Sequence, residues 1–335
     1  MKIDAEVFAE SPARVPALAS RAEEFGFDCV WFNETKHDPF VQLALASANT
    51  HKIMVGTSIA LAFTRSPTTL AYSSWDIQGL SAGRLFLGLG TQVKGHIERR
   101  FGLKWERPVP KMRDVLGALR AVWKSWETGS RLDYHGEFFK LDLMTPFFSP
   151  GQIDNPKIPI FLAGVNTGMC RLAGELAEGF HVHPLHTVRY LREAVMPAMA
   201  RGLERSGRKR GELDVAASVF AAVGDDLVEV EKAREEYRRQ IAFYASTRTY
   251  GKLMELHGWG DVCERLHALS LKGAWGQMTS EVTDDMLEEF VVEGTWDGIG
   301  GAIKKRYGGL LDRVRLYLPF DGDERWKSVA GGFRP

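Results

Sequence analysis

The chain has 335 residues, 44% of them hydrophobic and 26% charged, enough for one large barrel or two smaller domains around a sizeable core. Its 43 basic and 43 acidic side chains cancel, so no whole-molecule field draws it to nucleic acid or to an anionic membrane surface. Small molecules are the expected ligands.

The N-terminal stretch MKIDAEVFAESPARV lacks the apolar run of roughly 7–15 residues that a signal peptide needs, and no run of about 18 apolar residues occurs elsewhere. A cytoplasmic location without membrane attachment is therefore expected. Residues 3–8 (IDAEVF) read as a first strand. Ser11 can then cap a helix with Pro12 at its first position and Val15, Leu18, Ala19, Ala22 and Phe25 on one face, before Gly26 stops it. A second strand, 28–33 (DCVWFN), runs into Asn33-Glu34-Thr35-Lys36-His37-Asp38-Pro39-Phe40, a dense polar set. Asp38 can cap a helix beginning at Pro39. Glu34 and His37 can supply acid–base chemistry near neutral pH, although a solvated Glu34 would look the same.

The third strand, 53–61 (IMVGTSIAL), places Gly56, Thr57 and Ser58 in apolar surroundings, a break that marks a bulge or a close approach to a ligand. Hydroxyls bonded to backbone are the plainer explanation. Ser66 and Pro67 start the next helix, which runs through Trp75 to Leu80, and Gly83 releases the chain. The fourth strand, 84–90 (RLFLGLG), leads into Gly90-Thr91-Gln92-Val93-Lys94-Gly95-His96. His96 is a candidate to bond or protonate a substrate, or simply a loop histidine in water.

A long connection, 91–157, holds a helix near 110–127 and the turn-rich YHGEFFKLDL. Strand five, 158–164 (IPIFLAG), turns through Ala163-Gly164-Val165-Asn166-Thr167-Gly168 into a helix from Met169 to Ala177. With Asn166 or Thr167 as its cap, such a turn offers free N–H groups to a phosphate, and ordinary capping has the same sequence. Strand six, 179–185, ends in His181-Val182-His183-Pro184-Leu185-His186, where alternation puts His181 and His183 on one side. Strand seven, 214–223, precedes a second long connection, 224–312, and strand eight is 313–319 (RVRLYLP).

Strands alternating with helices imply parallel pairing, and eight such units predict an α/β fold, a (β/α)8 TIM barrel over 1–335 as a single domain with insertions after strands 4 and 7. An open doubly wound sheet would show a glycine-rich dinucleotide turn after its first strand, where this chain has FAESPAR. Barrel chemistry sits at the C-terminal mouth, so the two insertions are candidate lids and substrate walls. A His-x-His pair can hold a metal, and a metal-dependent hydrolase using His181 and His183 with His37, Asp38 or Glu34 is a competing reading. It ranks behind, because no other strand end completes a ligand set, and no metal is expected. Cys29, Cys170 and Cys263, odd in number and far apart, suit neither a disulfide framework nor a CxxC site.

Taken together, FGFDCVWFNETKHDPF, VGTSIALAFTRSP, AGRLFLGLGT, YHGEFFKLD, IPIFLAGVNTGMCRLAGELAEGF and GTWDGIGGAIKKRYGGLLDRVRLY, in this order, resemble the luciferase-like monooxygenase superfamily. The resemblance is to its branch of deazaflavin oxidoreductases that use coenzyme F420. It implies a ring lying across the barrel mouth, backed by a bulge after strand three with a non-prolyl cis peptide at Ser58-Ile59. It further implies that Glu34, Thr35, Thr57, Ser58 and Ile59 lie beside the ring, that Gly90 and Thr91 line the phosphoribityl side, and that Ala163, Gly164, Val165 and Asn166 form the phosphate turn.

Deazaflavin sugar dehydrogenases of the family have an Asp-His pair where this chain has Glu34-Thr35 and an acidic residue at the position of Val93, which puts a sugar substrate in doubt. The candidates for protonation become His37 and His96, with Glu34 orienting. The expected reaction is hydride transfer between F420 and a small organic substrate, an alcohol or carbonyl or an activated double bond. The alternative is an FMN-dependent monooxygenase using oxygen. The resemblance also implies a homodimer and a separate reductase that regenerates reduced cofactor.

Overall fold

The computed structural model describes residues 1–334. Its strands, in chain order, are β1 (Lys2–Val7), β2 (Cys29–Phe32), β3 (Met54–Thr57), β4 (Ala60–Leu61), β5 (Leu85–Gly90), β6 (Tyr134–His135), β7 (Lys140–Leu141), β8 (Ile160–Gly164), β9 (Gly179–Val182), β10 (Asp214–Gly224), β11 (Val291–Thr295) and β12 (Arg313–Leu316). Parallel pairing runs β1-β2-β3-β5-β8-β9-β10-β12 and returns to β1, where Lys2 is in register with Arg313. This closed ring of eight is the expected (β/α)8 barrel, and each barrel strand coincides with one of the eight segments read from the sequence, β1 beginning one residue earlier at Lys2 and β10 ending one residue later at Gly224. Among the described residues, no helix is long and apolar enough to cross a membrane.

The helix starts follow the local chemistry. Ser11 accepts from the Ala13 N–H, Asp38 from Phe40 and Ser66 from Thr69, and each precedes a proline in the first turn. The first helix opens with a turn of 3-10 geometry, and its regular part (Val15–Phe25) buries Val15, Leu18, Ala19, Ala22 and Phe25 and ends on Gly26 at φ 83°. The first long connection contains a short helix (Lys94–Arg99), a 21-residue helix (Pro108–Thr128) and the β6–β7 hairpin. The second contains the 19-residue helix Leu227–Ala245, further short helices and β11, which pairs with the C-terminal half of β10.

Two features of the third strand matter for the site. The segment read as 53–61 is broken where a bulge was expected: β3 stops at Thr57, β4 resumes at Ala60, and the Ser58–Ile59 peptide between them is cis, as the family resemblance implied. The close approach expected at Gly56 is internal rather than to a ligand, since a Cβ there would lie 2.3 Å from the Trp31 ring. Trp31 fills the barrel with Phe161, Cys29 and Ala216.

The barrel interior is also charged. Asp4 and Glu6 alternate along β1, and Arg313 and Arg315 alternate along the adjoining β12, so both pairs project inward. Arg313 donates to both carboxylate oxygens of Asp4, at 2.9 and 2.6 Å, and Trp31 Nε1 donates to Asp4 at 2.8 Å. Burial opposes the charge on Arg313, but the Asp4 carboxylate raises its pKa further, and the guanidinium stays charged.

Candidate active site at the barrel mouth

The strand C-termini open onto a cavity of about 610 Å³, within the size range of small-molecule and cofactor sites. One wall is Ser58 and Ile59, held from behind: Ser58 N–H donates to Phe32 O at 2.7 Å, and Arg315 Nη2 donates to Ser58 Oγ at 2.5 Å. Gly90 completes this wall, where a Cβ would lie 2.3 Å from Ile59 Cδ1. Across the cavity runs the turn Ala163–Asn166, leading into the helix Thr167–Leu176. Asn166 holds the N-cap position but makes no side-chain capping bond; its carbonyl accepts from Met169 N–H at 3.1 Å, and the helix start has no side-chain acceptor from its cap. Tyr190 Oη donates to Val165 O at 2.9 Å, fixing the turn, and Gly164 packs so tightly on the helix that a Cβ would be 2.5 Å from Met169 Cβ.

Of the residues singled out from the sequence, Thr35, Ser58, Ile59, Gly90 and Thr91 border the cavity, as do Ala163, Gly164, Val165 and Asn166. Four others lie outside its wall. Glu34 turns to Arg65 and to the Leu61 N–H, because a carboxylate beside a buried guanidinium and a free amide is satisfied there. Thr57 is fully buried, its hydroxyl donating to Gly88 O and accepting from Gly88 N at 2.7 and 2.8 Å. His37 bonds the Glu10 carbonyl through Nε2 at 3.0 Å, and His96 is exposed on the short helix after β5, whose buried residue is Ile97.

The donors named for a metal site are likewise dispersed. His181 is buried inside the barrel against Trp31 and Phe161, with ring centroids 4.6 and 5.2 Å away, while both ring nitrogens of His183 are engaged by Leu185 and Tyr250. Among the described residues, no group of three or more His, Cys, Asp or Glu side chains is arranged to hold a metal ion.

A model of the luciferase-like monooxygenase family matches residues 2–313. The chain belongs to this family. An uncharacterized protein of Mycobacterium tuberculosis is 44% identical over 302 residues, covering 90% of this chain and 89% of the relative. A 5,10-methylenetetrahydromethanopterin reductase of Archaeoglobus fulgidus is 29% identical over 315 residues, covering 92% and 90%. The solved coenzyme F420-dependent tetrahydromethanopterin reductase of Methanopyrus kandleri shares the fold with a TM-score of 0.79 at 23% identity, over 99% of this chain and 97% of that one. Monooxygenases also share it. This luciferase-like chain is thus an oxidoreductase by family.

The site of this luciferase-like barrel fits a phosphorylated flavin or deazaflavin. Buried polar groups at its wall lack hydrogen-bond partners, among them Asn33 Nδ2, whose Oδ1 already accepts from Thr35 at 2.7 Å, Arg315 Nη1 and both ring nitrogens of His181. Unsatisfied buried donors call for acceptors on a ligand. Sequence reasoning missed Glu6, Arg315, Tyr250 and Tyr317 at the wall. The alternation Asp4-x-Glu6 against Arg313-x-Arg315 was the available signal for the first two, since charges on the inward face of a barrel strand need a partner or a ligand. Tyr250 lies in the long 225–312 connection and had no signal. Trp105, one of the insertion aromatics, also lines the cavity, whereas Trp275 is 54% exposed.

Proposed function

We propose that the protein is a deazaflavin-dependent oxidoreductase that transfers hydride between coenzyme F420 and a small organic substrate at the barrel mouth. The observation that carries this reading is the pairing, across one cavity, of the Ser58–Ile59 wall with the uncapped helix start at Ala163–Asn166, with unpaired Asn33 Nδ2 and Arg315 Nη1 between strand ends. The choice of F420 is supported by the coenzyme F420-dependent tetrahydromethanopterin reductase whose fold the chain shares, together with the sequence similarity to the A. fulgidus methylenetetrahydromethanopterin reductase. When bound, the coenzyme supplies the hydride chemistry and the protein supplies position and electrostatics.

In this reading Ala163, Gly164, Val165 and Asn166 hold the phosphate with backbone N–H groups, aided by the helix dipole. Gly90 and Thr91 line the adjoining chain, Thr35 and Asn33 border the ring, and Ser58 and Ile59 back it. Thr57 acts from beneath, tying β3 to β5 through Gly88, and Glu34 orients the segment after Ile59 through Leu61 N. Glu6 is held in the wall by Ser218 Oγ, which donates at 2.7 Å, and by Arg315 at 3.2 Å, leaving a fixed carboxylate beside the reacting space.

The second reading, an FMN-dependent monooxygenase, is favoured by the monooxygenases that share the fold. Parallel fluorescence titrations with F420 and FMN separate the two. Saturable binding of F420 and not of FMN is the expected outcome; FMN alone turns the assignment to a monooxygenase.

A further inference from the structure

The hydrogen bonds around His183 determine which atom of Tyr250 faces the cavity with a free hydrogen. Leu185 N–H donates to His183 Nδ1 at 3.1 Å, so Nδ1 presents its lone pair. Burial, with a smaller contribution from His186, pushes the imidazole down to about 3, so the ring is neutral and its single hydrogen is on Nε2. His183 Nε2 lies 2.9 Å from Tyr250 Oη. The imidazole is therefore the donor and the phenol oxygen the acceptor, and the hydroxyl hydrogen of Tyr250 is left without an acceptor among the described residues. Both side chains line the cavity.

We propose that Tyr250 is a catalytic residue whose hydroxyl donates a hydrogen bond to the oxygen of a carbonyl substrate, polarising the carbon that receives hydride. The proposal rests on the hydride-transfer reading of the same cavity and adds to it the substrate class. An apolar part of the wall matches an apolar carbonyl compound: Phe8, Trp105, Val109 and the Tyr317 ring border the same space. The phenol keeps its proton, because burial and the neighbouring Tyr244 raise its pKa above the usual tyrosine value. In accepting from His183, the oxygen becomes a better donor through its own hydrogen. Such a donor, fixed before the reaction begins, stabilises the negative charge that grows on the carbonyl oxygen as hydride from the reduced deazaflavin forms the new C–H bond and the C=O π pair moves to oxygen. Solvent water then supplies the proton of the product alcohol. Tyr250 is itself fixed by ring contacts to His183 and Tyr244, with centroids 4.8 and 6.0 Å apart, so the donor costs no reorganisation.

Three measurements on wild type and Tyr250→Phe test this. Long-range 15N–1H spectra of histidine-labelled protein, without cofactor, should show His183 as the neutral Nε2–H form. Benzaldehyde labelled with 13C at the carbonyl, added to F420-loaded protein, should bind wild type about tenfold more tightly than Tyr250→Phe, with its carbonyl resonance further downfield. F420 itself should bind both proteins within about twofold, since the hydroxyl is assigned to the substrate.

An Nδ1–H or charged His183, equal benzaldehyde affinity and carbonyl shift in the two proteins, or no saturable benzaldehyde binding overturns the assignment of Tyr250. Failure of wild type to bind F420 removes the hydride-transfer reading and the catalytic role with it. F420 binding with unchanged benzaldehyde behaviour removes the role of Tyr250 alone.

Discussion

Arg65 brings Nη1 to both carboxylate oxygens of Glu34, at 2.8 and 2.7 Å, and Nη2 to Asp38 at 2.7 Å. The Glu34 and Arg65 side chains are only 11% and 14% exposed, and Glu34 Oε2 also accepts the Leu61 N–H at 2.8 Å. The carboxylate thus pins the chain just after the Ser58–Ile59 wall. Glu34→Ala leaves the mostly buried guanidinium with Asp38 as its remaining carboxylate partner and the Leu61 amide unpaired, with an expected loss of roughly 2 kcal/mol in urea unfolding and weaker F420 binding. Glu34→Gln keeps an acceptor for Leu61 and should lose less. Lost turnover with unchanged stability and affinity would instead put Glu34 in the chemistry.

Gly164 tests the phosphate turn. A single methyl group there meets Met169 Cβ at 2.5 Å, so the turn must move away from the helix start. Gly164→Ala is expected to weaken F420 affinity by about tenfold or more, by shifting the N–H groups that face the phosphate. Gly164→Asp adds a like charge and should bind more weakly still. Affinity equal to wild type in a folded Gly164→Ala protein would move the phosphate elsewhere.

The barrel was legible because its signals are local and repeated: apolar runs of strand length, and Ser11-Pro12, Asp38-Pro39 and Ser66-Pro67 at helix starts. The turn Ala163–Asn166 at the cavity, the proposed phosphate site, was legible for the same reason, as glycine beside a helix start. What escaped was orientation. Glu34, His37 and His96 were identified by residue type and by position after a strand, yet Arg65 draws Glu34 away, Glu10 O holds His37, and His96 stands on the outer side of a helix whose inner residue is Ile97. Tyr250 is brought to the mouth by the long connection after β10, and no period in the sequence encodes its contact with His183, 67 residues earlier.

Within the barrel, Asp4 and Arg313 are each 1% exposed. Removing one partner strands the other charge in the interior, so Arg313→Met is expected to cost about 3–5 kcal/mol in denaturant unfolding. The pair contributes much less when compared with an apolar replacement. Asp4→Leu combined with Arg313→Met should therefore recover a large part of the loss, and a double variant as unstable as the sum of the singles would show that the two charges act independently.

Acid should destabilise the protein through its buried histidines before most of its carboxylates titrate. Burial pushes His186 down from 6.5 to about 4, its Nδ1 lying 2.8 Å from the His183 carbonyl and its Nε2 buried without a partner. The folded ring is neutral while the unfolded one protonates below its ordinary pKa, so the unfolded chain binds more protons in this window. Stability is then fully present above about pH 6.5 and falls as pH drops toward 4, by at most ~1.4 kcal/mol per pH unit for this site. His183, lowered by burial to about 3, adds loss of the same sign. His186→Asn keeps a donor for the His183 carbonyl and removes the titrating ring, so its urea midpoint should fall less between pH 7 and pH 5 than that of wild type. Equal slopes in the two proteins would mean that His186 takes up its proton in the folded state.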